Sequence, residues 1–182
     1  MPELAAVILE AARKEFDRIK RQAERAMQQL DDDEFFFRLG EDANSIYVIV
    51  KHLSGNMVSR WTDFLTTDGE KPDRHRDDEF VEQADVPRDA IMRLWNRGWE
   101  CMFNELGALR GEDMVKTVHI RGEPHTVCHA ITRQLSHHSY HVGQILTIAR
   151  HVRGDRWRCL SIPRGQSEQY NREMGMPATP SR

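Results

Sequence analysis

The sequence predicts an all-α protein, a bundle of four long helices with one short β-hairpin before the last of them. Three observations point there. Apolar residues recur at three- and four-residue steps over four long stretches, turn and charge clusters separate those stretches, and a single short segment places β-branched residues around a Gly-Glu-Pro turn. At 182 residues, 39% hydrophobic and 30% charged, the chain has the size and balance of one globular domain, 1–182.

The first helix, about 2–30, opens with Pro2 and Glu3, which suit a first turn. It carries Leu4, Val7, Ile8, Ala11, Phe16, Ile19, Ala23, Met27 and Leu30 on one stripe. DDDEFFFRLGEDANS breaks that period with an acidic cluster, a glycine and Asn44, a candidate cap. The second helix, about 45–65, has Ile46, Ile49, Leu53, Met57 and Phe64 on its stripe and Gly55 in its interior. A glycine costs a helix about 1 kcal/mol against alanine, so Gly55 signals the close approach of another element or a functional need for space. The polar run TTDGEKPDRHRDDEF is long enough to fold over one end of a bundle. Pro87 opens the third helix, about 87–107, where Ile91, Leu94, Trp95, Trp99, Met102, Phe103 and Leu106 keep the helical period up to Gly107. MVKTVHIRGEPHTV reads as the hairpin, followed by the fourth helix, about 127–152. The Pro/Gly-rich tail, 153–182, is expected to be ordered at most in its first half.

Charge and cysteine content exclude several functions. The net charge is −3, from 26 basic and 29 acidic residues, so no cationic surplus exists to neutralise a phosphate backbone, and nucleic acid is not an expected partner. MPELAAVILEAARKEF has no basic leader, and Glu10 interrupts its apolar run, so it reads as neither a signal peptide nor a membrane span; the expected location is cytoplasmic. Cys101, Cys128 and Cys159 are far apart and form no CxxC pair, which predicts buried free thiols. Trp61, Trp95, Trp99 and Trp157 could line an aromatic box, but Trp95 and Trp99 fall on the buried period of the third helix and are expected to pack in the core. Nucleotide-cradle, nucleophile-elbow and HExxH motifs do not occur.

The chemistry-bearing residues are histidines, nine in all. RQLSHHSYHVGQ puts His137, His138 and His141 on the fourth helix. At about 100° per residue, His137 and His141 lie about 40° apart one turn away from each other, and His138 and His141 about 60°. Either pair could ligate one ion. Two ligands from a helix leave a third to come from elsewhere, since an open catalytic site generally takes three from the protein. His52 is the candidate, because no other histidine lies on the first three helices and it shares a polar flank with Asn56, Ser59 and Asp63. A ligating imidazole needs its other nitrogen hydrogen-bonded; Asn56, Asp63, His138 and Gln144 are the candidates for such support. His75, His119, His125 and His151 read as solvated.

Three segments, KHLSGNMVSRWTDFLTTDGEKPDRHRDDEF, HHSYHVGQI and LSIPRGQSEQYN, together resemble a bacterial branch of unknown function in the DinB-like superfamily. The likeness spans nearly the whole chain, with the motifs in the right order. It implies a four-helix bundle of up-down-down-up connectivity, commonly a homodimer, in which one histidine of the second helix and two of the last hold a divalent metal. Carried onto this sequence those are His52, His137 and His141, which selects His137 over His138. Relatives in the superfamily include bacillithiol transferases and a mycothiol-dependent maleylpyruvate isomerase. The resemblance carries the metal triad but not the reaction, because substrate-binding residues are not shared across the superfamily. The leading expectation is thiol S-transferase-like chemistry on a small-molecule substrate, with a low-molecular-weight thiol as the further cofactor. An all-imidazole site suits zinc or nickel, or else manganese or iron. If the 69–80 loop or the LSIPRGQ tail folds over the metal, Arg74, Arg76 or Arg164 would hold an anionic substrate through charge-assisted hydrogen bonds. Two rival readings stand beside this one: a non-catalytic metal-binding or stress-response module, and a dimeric bundle whose histidines only satisfy one another.

Overall fold

The computed structural model describes residues 2–176 and is predominantly α-helical. Four long helices, α1 (Pro2–Met27), α2 (Ile46–Trp61), α3 (Arg88–Ala108) and α4 (Val127–Arg153), pack α1 against α4 and α2 against α3. A two-stranded antiparallel hairpin, β1 (Thr117–Ile120) and β2 (Glu123–Thr126), precedes α4 as expected. Among the described residues no helix is long and apolar enough to cross a membrane.

Local chemistry accounts for the element ends, with several departures from the sequence reading. Ser45, not Asn44, caps α2, its hydroxyl accepting the Val48 N–H at 3.1 Å. The hairpin turns at Arg121-Gly122 rather than at Gly-Glu-Pro. Both residues have positive φ, 56° and 76°, the backbone of a tight hairpin turn, and Pro124 lies within β2. The tail is not confined to its first half, because Ser167–Glu173 forms a short helix, α5, braced by a Gln169–Glu173 hydrogen bond of 3.0 Å. The part of the tail beyond Met176 lies outside the described residues.

The core follows the predicted stripes. Phe16, Ile19 and Met27 of α1, Ile49, Leu53 and Met57 of α2, Trp95, Trp99 and Met102 of α3 and Ile131 and Ile145 of α4 are all buried. The first turns of α1 depart from this, since Leu4, Val7 and Ile8 are exposed and burial begins at Leu9. The thiols also depart: Cys159 is exposed, Cys101 and Cys128 are half-buried, and all three are free. Gly98 marks a close approach of α3 to α2, where a methyl group would lie 2.8 Å from the Ser54 Cα.

The polar run 66–80 does not hang over a bundle end. It lies along α2 and is tied to the hairpin: Asp68 accepts the Arg121 and Gly122 N–H groups at 2.8 and 2.7 Å, and the Gly69 N–H donates to the His119 carbonyl at 2.8 Å. Its last residues form a 3-10 turn, Arg76–Phe80, packed on α2. That turn reaches the histidines.

Candidate metal centre

His52 projects from α2 toward α4, and His137 and His141 project back from α4. One nitrogen from each lies within 4.8 Å of the others, so the three could hold a metal ion. The His52 and His137 Nε2 atoms are 3.1 Å apart. Two nitrogens bound to one ion at about 2.0–2.1 Å, with angles from right-angled to tetrahedral, sit roughly 2.9–3.4 Å from each other, so the spacing fits. The donor chemistry fits as well, because imidazole suits a divalent ion of the first transition row.

Neighbouring acceptors decide which ring nitrogens face inward. His52 Nδ1 lies 2.9 Å from the Glu79 carboxylate, and His141 Nδ1 lies 2.8 Å from Gln144 Oε1. Both partners are acceptors, so each Nδ1 carries the proton and each Nε2 presents a lone pair to the centre. Burial first, and then the adjacent His141 and His52, push His137 down to about 3. Burial also lowers His141, against the opposing effect of its bond to Gln144. Near pH 7 these two rings are neutral and able to ligate.

Glu79 is the residue that sequence reasoning missed. Burial alone would raise its carboxyl, but hydrogen bonds from His52 and Arg74 outweigh that and hold it below the ordinary carboxylate range. Arg74 meets it as a fork, Nε to Oε1 at 2.8 Å and Nη2 to Oε2 at 2.9 Å, while Nη1 bonds Glu70 at 3.0 Å. The signal for this arrangement was Gly55. A Cβ there would lie 2.2 Å from Glu79 Oε1 and 2.8 Å from its Cδ. With that carboxylate clamped from two sides, it cannot swing away at little cost. Gly55→Ala is therefore expected to weaken metal binding about 10–100-fold by dislodging the support of His52, measured by competition against a chelator; unchanged affinity would mean that Glu79 does not steer the ring. Phe80, on the same turn, lays its ring 4.9 Å from that of His52.

The other candidate residues are distributed unevenly. His138 is fully buried and turned away from the triad into the core, its ring 5.6 Å from Phe16 and 5.0 Å from Trp99, and burial holds it well below the usual histidine range. It is a core residue. Asn56 is buried and accepts from Gln134 Nε2 at 2.7 Å, a partner the sequence reading did not name. Asp63 is exposed past the end of α2 with φ of 50°, and lines a separate depression shared with Lys71 and Asp73. Arg74 is engaged by two carboxylates, Arg76 is exposed with its guanidinium over the Phe80 ring, and Arg164 is exposed in the tail. His125, expected in solvent, is buried between Arg133 and His129, with Nε2 3.2 Å from Arg133 Nη1. Two of the three, His52 and His137, open onto a cavity of about 210 Å³ whose walls also include Asn56, Arg60, Arg133 and Gln134.

No curated protein matches the chain. A family model described as a protein of unknown function (DUF1572) matches residues 3–166, nearly its entire length, and the chain belongs to that family.

Proposed function

We propose that the protein is a divalent-metal-dependent enzyme of the DinB-like superfamily, acting on a small molecule in the manner of the thiol S-transferases. The observation that carries this reading is the convergence of His52, His137 and His141, with Glu79 and Gln144 turning two of the three Nε2 atoms inward. Bound there, a zinc or nickel ion, or manganese or iron where supply dictates, would act as a Lewis acid at its open positions, making a thiol or water easier to deprotonate. The chain's own groups supply the rest. Glu79 and Arg74 keep the His52 ring in place, Phe80 shields it from solvent, and the Asn56–Gln134 pair lines the cavity beside it with side-chain amides. The resemblance to the DinB-like superfamily supports a homodimer as the working unit, and the exposed Leu4, Val7 and Ile8 offer an apolar face for it.

The test is metal per chain by elemental mass spectrometry on protein purified without a polyhistidine tag. Near-stoichiometric metal is expected in the wild type and in His138→Ala, and a loss of at least tenfold in His52→Ala, His137→Ala and His141→Ala. Metal-free wild type that takes up neither zinc nor nickel would leave a structural bundle. A filled site that turns over no electrophile with any of a panel of low-molecular-weight thiols would leave a metal-binding module.

A further inference from the structure

The cavity beside the triad is a groove between two rows of side chains. On α2, His52, Asn56 and Arg60 follow one another at four-residue steps; on α4, His137, Gln134 and Arg133 run the opposite way. The rows meet as rungs: His52 Nε2 lies 3.1 Å from His137 Nε2, Asn56 Oδ1 lies 2.7 Å from Gln134 Nε2, and Arg60 and Arg133 close the same cavity. One end is metal-directed, the middle is amide, and the far end is cationic.

That cationic end carries more positive than negative charge. The cavity wall carries Arg60, Arg74, Arg76, Arg121 and Arg133 against one carboxylate, Glu70. Arg74 is taken by Glu79 and Glu70, and Arg121 bonds Glu70 at 3.2 Å. Arg76 is exposed, and Arg133 bonds only the neutral partner His125 among the described residues. Arg60 stands apart. It is 8% exposed, and among the described residues no carboxylate lies within ion-pairing distance. Its Nε donates to the Gly69 carbonyl at 3.3 Å, and its stem packs on Gly69 so closely that a Cβ there would lie 2.6 Å from the Arg60 Cδ. The loop thus fixes the stem and leaves the two Nη groups for the cavity. Burial and the nearby Arg133, partly opposed by Glu70, push Arg60 down to about 10, so it stays charged near pH 7. A buried charge without a partner is costly, and a second cation beside it adds to the cost, unless an anion joins them.

We infer that Arg60 and Arg133 form the oxyanion subsite of this centre, receiving a carboxylate or phosphate on the substrate whose other end is directed at the histidine triad. The inference rests on the metal-centre reading for the role of that other end, but the subsite itself stands on the arginines. Arg60 and His52 are two turns apart, roughly 12 Å along the helix axis, so the substrate is a short extended molecule with its reactive group and its oxyanion at opposite ends. Arg60 gives a planar fork for the oxyanion, and Arg133 adds the second charge.

Binding of inorganic phosphate and of succinate, measured by titration calorimetry on zinc-loaded protein, tests this. At least one probe is expected to bind, and which one identifies the oxyanion. Arg60→Gln and Arg133→Gln should each weaken it tenfold or more, with Arg60→Lys intermediate. Because Arg60 is buried, thermal melts check that its variants fold, and the exposed Arg133 provides the independent arm. His137→Ala should still bind the probe even where it holds no metal, which separates failure of the metal reading from failure of this one. Wild type that binds neither probe, or arginine variants that bind like wild type while His137→Ala does not, would overturn the proposal, the latter placing the anion on the metal.

Discussion

Replacing Glu79 with alanine is expected to cost about 3–5 kcal/mol of stability and to weaken metal binding about 10–100-fold, the largest combined effect of any substitution near the candidate site. Two consequences coincide in one side chain. Removing the carboxylate leaves the Arg74 guanidinium, 6% exposed as a side chain, with only Glu70 as a partner, and it releases His52 Nδ1, so that the ring is free to rotate away from the triad. Glu79→Gln separates the two. Its carbonyl oxygen can still accept from His52, while its amide hydrogens oppose Arg74, so it should lose more stability than metal affinity. Urea unfolding and chelator competition on both variants provide the measurement. An alanine variant as stable as wild type would show that the buried pair contributes nothing, and a glutamine variant as weak in metal binding as alanine would show that charge, not orientation, supports His52.

Trp99→Ala is expected to destabilise the bundle by about 3–5 kcal/mol, the range for deleting a large buried aromatic ring. Trp99 is fully buried and is ringed by Trp95 at 5.4 Å, Phe103 at 5.5 Å, Phe16 at 6.5 Å and His138 at 5.0 Å. The loss would open a cavity against His138, an imidazole whose burial is the main reason it stays neutral. Trp99→Phe keeps a ring in the gap and should lose markedly less. Chemical denaturation gives both values; a loss under about 1 kcal/mol for alanine would mean that the site collapses without leaving a void.

The helices were legible because an amphipathic period is a local property. Expected limits of 87–107 and 127–152 became Arg88–Ala108 and Val127–Arg153, and Trp95, Trp99, Ile49 and Leu53 are buried as their spacing indicated. Leu4, Val7 and Ile8 share that period yet are exposed, since periodicity identifies an apolar face and not whether a neighbour extends far enough to cover it. Gly55 announced a close approach, but nothing in its neighbourhood said that the approaching group would be Glu79. The two lie far apart along the chain and meet only because the 66–80 run is pinned by Asp68 and Gly69 to the hairpin.

By itself, then, the sequence determined an all-α chain, the faces of its helices and a set of histidines able to ligate, because each follows from the identity and spacing of neighbouring residues. Residue spacing left His137 and His138 equivalent as partners of His141, and only the resemblance to a family separated them. The tertiary structure decides this physically. The rotation of α4 against α2 turns His137 to the cavity and His138 to Phe16 and Trp99. The antiparallel register of the two helices then sets Asn56 against Gln134 and brings Arg60 and Arg133 to one cavity. Rotation and register are properties of the whole packed core, and no local stretch of residues encodes them.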